Sequence, residues 1–319
     1  MKKIILLVVG LVFVASLFAG ASGEAYMQYP VIGYAGSTDE GGGLVKGYVG
    51  IGYWGADYGF HFNYNDTGGA PWTINHMFKK FKLHPMVNLL VGKTAVPLVK
   101  QLNPSGFANI NIIEPVGPWF DGGCWNFINP ENDWMLKLDG NVSGLAWQLY
   151  TVDVNTSNMG GYDYADYGAR FDYNVAGVEL GAGLVMRGVP DSLDGTMDWA
   201  FDLGYTAAEM VDLELQLVNN DDGVEDSSDM NLYFVANYVP GFNGIKPYLG
   251  YFTYDGADDD LLMQGMENNA MFFGLNFAPT EDSVLKLEYK MYSNEVLDAG
   301  TTGDDYLGDT LTLQLGFQF

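Results

Sequence analysis

Cysteine is nearly absent: Cys124 is the only one in 319 residues, so no disulfide can form within the chain. Positive charge is scarce as well. Fourteen Lys and Arg stand against 40 Asp and Glu, a net charge of −26. That excludes nucleic acid as a partner, because phosphate binding needs clustered Lys and Arg. The three histidines, His61, His76 and His84, are scattered without metal-ligand spacing, and none sits beside a nucleophile motif. No catalytic residue, metal site or cofactor is therefore expected, and the chain does not read as an enzyme. Long apolar runs are missing beyond the N-terminus, and no long stretch of the remainder repeats at 3.6 residues.

The one long apolar run lies in "MKKIILLVVGLVFVASLFAGASG". Lys2 and Lys3 precede an uncharged stretch from Ile4 to Ala19, and small residues follow at Ala19, Gly20 and Ala21. At 16 residues the run is short for a span, which needs about 20. The pattern reads as a signal peptide over residues 1–21, cleaved after Ala21, with a single domain over 22–319. Its removal takes the basic residues from 14 to 12 against 40 acids, or −28. The exported chain must then be stable without a disulfide.

What fills the rest is alternation. In "DTLTLQLGFQF" Leu311, Leu313, Leu315, Phe317 and Phe319 share one parity, while Thr310, Thr312, Gln314, Gly316 and Gln318 share the other. Side chains alternate across a strand, so this stretch has one apolar and one polar or small face. The same period recurs in Trp134/Leu136/Leu138, Phe171/Tyr173, Val178/Leu180/Ala182/Leu184/Met186, Trp199/Phe201/Leu203/Tyr205, Val211/Leu213/Leu215/Leu217 and Leu285/Leu287/Tyr289/Met291. Connections alternate too: short near 141–144, 174–177, 206–208, 240–244 and 278–282, long and polar near 154–163, 188–195, 219–229, 255–268 and 294–307. One short, one long, repeated, predicts an all-β, antiparallel, up-and-down transmembrane β-barrel, whose closure removes the unpaired sheet edges that hydrocarbon would not tolerate. Aromatics near segment ends, including Tyr53, Trp54, Tyr58, Tyr205, Tyr238, Tyr248, Phe277 and Phe319, suit girdles at two interfaces. A β-sandwich with one wet face is the competing architecture.

Eleven strands are legible from about 133 to 319 and two more in 45–65. Residues 66–132 are irregular and read either as several short strands or as one long loop folded into the pore. An even total is expected; 16 strands fits best, with 14 and 18 as alternatives. "GIGYWG" (Gly50–Gly55) matches the dinucleotide pattern, but Tyr58, Phe60, Phe62 and Tyr64 follow at period two where a helix would be required. Gly50 and Gly52 share a parity and are read as making room for bulky neighbours or permitting strand curvature. The acidic runs Asn219–Asp229, Asp255–Asp260 and Asp298–Asp309 read as solvated loops, and neither of the first two matches EF-hand spacing.

Charges on strands sit opposite the apolar faces. Lys46, Lys137, Arg170, Arg187, Lys286 and Lys290, with Asp139, Asp172, Glu179, Asp202, Asp212, Glu214 and Glu288, are expected to line the interior. A Lys or Arg turned to lipid costs about 2–4 kcal/mol at the midplane. A barrel of about 16 strands leaves an aqueous channel, whereas one of eight is filled.

The signal peptide, the alternating meander and the terminal "LTLQLGFQF" together resemble bacterial outer-membrane β-barrels of the porin type, and "VNLLVGKTAVP" (Val87–Pro97) resembles an early strand of that class. The resemblance implies residence in the outer membrane of a Gram-negative-type envelope and contact with its lipid. It implies reading of Leu311, Leu313, Leu315, Phe317 and Phe319 by the barrel assembly machinery. It further implies passive diffusion of small hydrophilic solutes and ions, homotrimers in some members, and a pore-constricting loop, expected here within 98–132. The acidic balance adds a weak preference for cations. A structural or adhesive surface barrel acting through its acidic loops, and a substrate-specific channel, are the alternative functions.

Overall fold

In a computed structural model of the chain, the alternation resolves into sixteen antiparallel strands. They are β1 (Ser22–Ile32), β2 (Lys46–Trp54), β3 (Tyr58–Asn65), β4 (Trp72–His84), β5 (Val87–Ala95), β6 (Asn132–Val142), β7 (Leu145–Val154) and β8 (Tyr164–Val175). The second half comprises β9 (Val178–Met186), β10 (Met197–Ala207), β11 (Val211–Asp221), β12 (Ser228–Tyr238), β13 (Ile245–Asp255), β14 (Met266–Thr280), β15 (Ser283–Val296) and β16 (Thr310–Gln318). The structure describes residues 22–32, 46–54, 57–65, 72–100, 132–154, 164–186, 197–221, 228–240, 242, 244–255, 266–280, 282–296 and 310–318. The signal-peptide segment 1–21, most of the long connections, Cys124, the acidic run Asp298–Asp309 and Phe319 lie outside them.

Each strand pairs with its sequence neighbours, and β1 pairs with β16 from Glu24↔Gln318 to Ile32↔Leu311, which closes the sheet. Closure satisfies every edge that an open sheet would leave unpaired. It also excludes the sandwich, since one sheet holds all sixteen strands. The up-and-down order places the connections 55–57, 85–86, 143–144, 176–177, 208–210, 239–244 and 281–282 at one rim and the longer ones at the other. Two of the tight turns have positive φ at both central residues: Ser143 (53°) with Gly144 (87°), and Ala176 (53°) with Gly177 (82°). That is the mirror-type turn whose twist matches paired strands. Nothing lies within 4 Å of where a Cβ would stand on Gly177, so its backbone angle alone favours glycine there.

The eleven strands expected beyond residue 133 and the two in 45–65 are all present. Of the two readings of 66–132, strands hold over residues 72–95, which form a hairpin of β4 and β5, the latter within the porin-like Val87–Pro97. The charged stretch "KKFKLH" of β4 obscures an alternation in which Lys80 and Lys82 point inward and Phe81 and Leu83 outward. The acidic run Asn219–Asp229 is likewise not all loop, because β11 extends to Asp221 and β12 begins at Ser228. Tyr248 is no girdle residue. It is inward and 4% exposed, and its hydroxyl donates to Glu288 Oε2 at 3.0 Å.

Exposure separates the two faces of the wall. Trp134 (48%), Leu136 (51%), Leu249 (56%) and Phe273 (51%) are bare on the outside, whereas Lys286 (0%) and Gln314 (1%) are enclosed. So broad an apolar band is far beyond what a soluble monomer exposes, and it suits lipid. No helix among the described residues is long and apolar enough to cross a membrane; the strands are what span. The interior is not uniformly polar. Leu90, Met135, Tyr150, Val152, Val185, Val218, Tyr233 and Phe272 form one buried cluster on the inner side.

Candidate functional site

At Ala95 the chain leaves the wall, and Val96–Lys100 runs inside the barrel against β8–β11. Val96, Leu98 and Val99 pack onto the buried cluster that includes Val185, Ala200 and Val218. Apolar contact alone would let this segment slide; polar contacts set its register. Arg170 Nη1 donates to the Leu98 carbonyl at 3.0 Å and to Asp202 Oδ2 at 2.8 Å, while Nη2 donates to Asp202 Oδ1 at 3.0 Å. Arg170 Nε also donates to Asp172 Oδ2 at 3.1 Å. The planar guanidinium thus bridges two carboxylates and one backbone oxygen, a geometry an ammonium could not supply.

Lys100 completes the attachment. Its backbone N–H donates to Asp202 Oδ2 at 3.3 Å, and its carbonyl accepts from Gln216 Nε2 at 3.3 Å. Its ammonium lies 3.1 Å from Glu179 Oε2 and 3.4 Å from Glu214 Oε1. Burial disfavours the charge on Lys100, but Glu214 and Glu179 outweigh burial and hold its pKa above the ordinary 10.5. Between Arg170 on β8 and Asp202 on β10 stands β9, whose Gly181 and Gly183 carry no side chain into this space. A Cβ on Gly183 would collide with the Leu98 carbonyl oxygen, and one on Gly181 with Asp202 and Arg170. The two glycines are what allow the segment and the ion pair to lie flat on the wall.

Of the residues expected inside, five meet here: Arg170, Asp172, Glu179, Asp202 and Glu214. Lys137 and Asp139 share the inner face of β6, where Asp139 accepts from Lys80 Nζ at 3.0 Å and from Asn88 Nδ2 at 2.9 Å. Lys286, Glu288 and Lys290 form a separate group on β15, nearly fully enclosed, with Lys290 Nζ 3.1 Å from Glu288 Oε1. Asp212 stands apart near a tight turn, accepting from Thr206 Oγ1 at 2.7 Å. Lys46 lies on β2 and Arg187 just beyond β9, their side chains outside the described residues. Of the terminal strand, Leu311, Leu313, Leu315 and Phe317 lie on the outward parity of β16. Five of the seven expected carboxylates therefore lie on β8–β11, while Asp139 on β6 and Glu288 on β15 stand beside inward lysines.

Two features escaped sequence reasoning. Lys100 has no alternation around it, and only its contacts mark it. His61 and His76 are far apart in a histidine count, yet register places them opposite each other on β3 and β4, buried, with rings 6.0 Å apart. His76 Nδ1 lies 3.3 Å from Thr94 Oγ1. No group of three or more metal-ligating side chains occurs among the described residues. The reading of "GIGYWG" as strand holds: β2 runs through it, and a Cβ on Gly52 would press on His61 and the Phe60 carbonyl.

No family model and no curated protein matches the chain. Solved structures do. The chain is similar to OmpF of Salmonella typhi in complex with daunomycin, with a TM-score of 0.68 at 15% identity over 94% of this chain and 97% of that one. It is similar to an anion-selective porin from Comamonas acidovorans, with a TM-score of 0.59 at 15% identity over 93% and 98%. The outer-membrane channel DcaP of Acinetobacter baumannii follows, with a TM-score of 0.58 at 14% identity over 94% and 98%. At such identities the likeness establishes the fold: this is a barrel of the porin type.

Proposed function

We propose that the protein is an outer-membrane porin through which small hydrophilic solutes and ions diffuse passively, with a weak preference for cations. The observation that carries this is Val96–Lys100, docked along the inner wall of a sixteen-strand barrel by Arg170, Asp202, Glu179 and Glu214. A barrel of this size has room for water, and a segment laid inside it narrows the passage beside a wall of carboxylates. Residues 98–132 are proposed as the constriction to which Lys100 belongs. The protein carries out no chemistry: its inward charges orient water and bias which ions pass.

Export by a cleaved signal peptide is part of the same reading. So are contact with outer-membrane lipid, recognition of β16 by the assembly machinery, and a homotrimer, which mass measurement in mild detergent tests. Planar-bilayer recording of the refolded mature chain tests the function. Discrete open-channel steps and a reversal potential of cation-selective sign in a salt gradient are expected. Correctly folded protein that opens no channel overturns the proposal and favours a surface barrel acting through its loops.

A further inference from the structure

Residues two apart on a regular strand share a face, but Ile74 and His76 do not. Ile74 stands opposite Phe62, and both are exposed on the outer wall. His76 stands opposite His61, and both are buried on the inner side. The reversal comes from a bulge. β3 steps from His61 to Phe62 while β4 steps from His76 to Ile74, so β4 carries one residue more. Without that extra residue the two imidazoles would fall on opposite sides of the wall. Bulges re-aim side chains in this way, and they concentrate next to functional sites. Gly52, the other cross-strand partner of His61, makes room for the ring, since a Cβ there would lie 2.9 Å from His61 Cδ2.

The two rings stand 6.0 Å apart, centroid to centroid, with their planes at 40°. A metal about 2.0–2.1 Å from one nitrogen of each ring sets the centroids roughly 5–6 Å apart as the angle at the metal opens beyond the tetrahedral value. His76 Nδ1 lies 3.3 Å from Thr94 Oγ1 on the neighbouring strand β5. With the proton on Nδ1, that contact fixes the tautomer whose Nε2 carries the lone pair a metal needs. No third histidine or carboxylate joins the two among the described residues, so water fills the remaining positions. Lys137 and Lys93 are close enough to His76 to repel a cation. That opposes Ca²⁺ and Mg²⁺, which are held by charge and oxygen, and favours an ion held by its bond to imidazole. We propose that His61 and His76 form a two-histidine site for a borderline divalent transition metal, which clips β3 to β4 on the lumen side. Copper binds above zinc, following the general order for nitrogen ligands. The site rests on strand register and stands whether or not the barrel conducts.

The test titrates the untagged mature barrel in neutral detergent with Cu²⁺ and follows the electron spin resonance spectrum of the bound ion. One equivalent per barrel is expected to bind, with hyperfine lines from two imidazole nitrogens. His61→Gln and His76→Gln should each weaken binding about a hundred-fold or more, and the supporting Thr94→Val about ten-fold. His84→Gln should change nothing, because His84 is exposed beside the 85–86 turn, where its Nδ1 accepts from the Met86 N–H. Zn²⁺ should displace the copper only in excess, and Mg²⁺ not at all. Heat-modifiable gel migration confirms that each variant is folded. Should neither histidine variant fold, the spectrum of the intact protein decides, and fewer than two nitrogens overturns the proposal. Unaltered affinity in either folded histidine variant, loss of binding in His84→Gln, or displacement by Mg²⁺ overturns it as well.

Discussion

Arg170→Met removes the group that ties the inner segment to the wall. Arg170 and Asp202 are each 5% exposed. The substitution leaves Asp202 enclosed with one remaining donor among the described residues, the Lys100 N–H at 3.3 Å. It also strips Leu98 of its side-chain donor. Removing one partner of a buried ion pair costs about 3–5 kcal/mol, and a carbonyl left unsatisfied about 1–3 kcal/mol. The combined variant Arg170→Met, Asp202→Leu no longer buries a lone charge, so its loss should fall to about 1–3 kcal/mol, the Leu98 share. A double-mutant cycle by urea unfolding from lipid vesicles should therefore return a coupling of about 2 kcal/mol or more. The alternative to paying that penalty is for Val96–Lys100 to swing away and let water reach Asp202. In that case the stability loss shrinks and single-channel conductance rises and becomes noisier. The reasoning is refuted if Arg170→Met lies within about 0.5 kcal/mol of the unaltered protein and conducts identically.

The remaining expectations concern the same segment and the wall around it. Gly183→Val places a side chain where the Leu98 carbonyl sits, so it should lift the segment at a cost of about 1–3 kcal/mol and raise conductance; unchanged conductance would count against the docking. Lys100→Met exposes Glu179 and Glu214 to passing ions and should move the reversal potential further in the cation-selective direction. Because the folded pKa of Lys100 is raised, its ion pairs are fully present below the ordinary 10.5 and are lost as pH rises through the shifted value. Cation selectivity should thus be flat with respect to this group through neutral pH and increase only above that range, a rise absent in Lys100→Met. On the lipid side, Leu249→Lys should cost up to about 2–4 kcal/mol in the vesicle assay; a negligible cost would mean that this parity does not face hydrocarbon.

Most of the wall was legible because lipid and lumen impose opposite demands on successive residues. Leu311 to Phe317, Trp199 to Tyr205 and Leu285 to Met291 carry that demand in plain period two. Strand β4 was hidden because Lys79, Phe81 and Leu83 share one parity and Lys80 and Lys82 the other, so charge appears on both faces; its partner β5 was legible in the porin-like Val87–Pro97. Tyr248 misled for a different reason. An aromatic near a strand end can serve an interface or reach inward for a carboxylate, and only Glu288 across β14 decides which.

Period-two alternation, the spacing of turn residues and an aromatic-ended last strand were enough to determine a membrane barrel, its eleven strands beyond residue 133 and two in 45–65, and which parity faces inward. These are local properties, repeated every few residues, and each repeat reinforces the others. The tertiary structure alone decided which inward residues meet. Arg170 and Asp202 are joined over β9 by register, His61 and His76 by the pairing of β3 with β4, and Lys100 reaches Glu179 and Glu214 only because the chain turns inside the cylinder. Such contacts join residues that sequence distance leaves unrelated, and they depend on strand register and on the path of the chain inside the barrel.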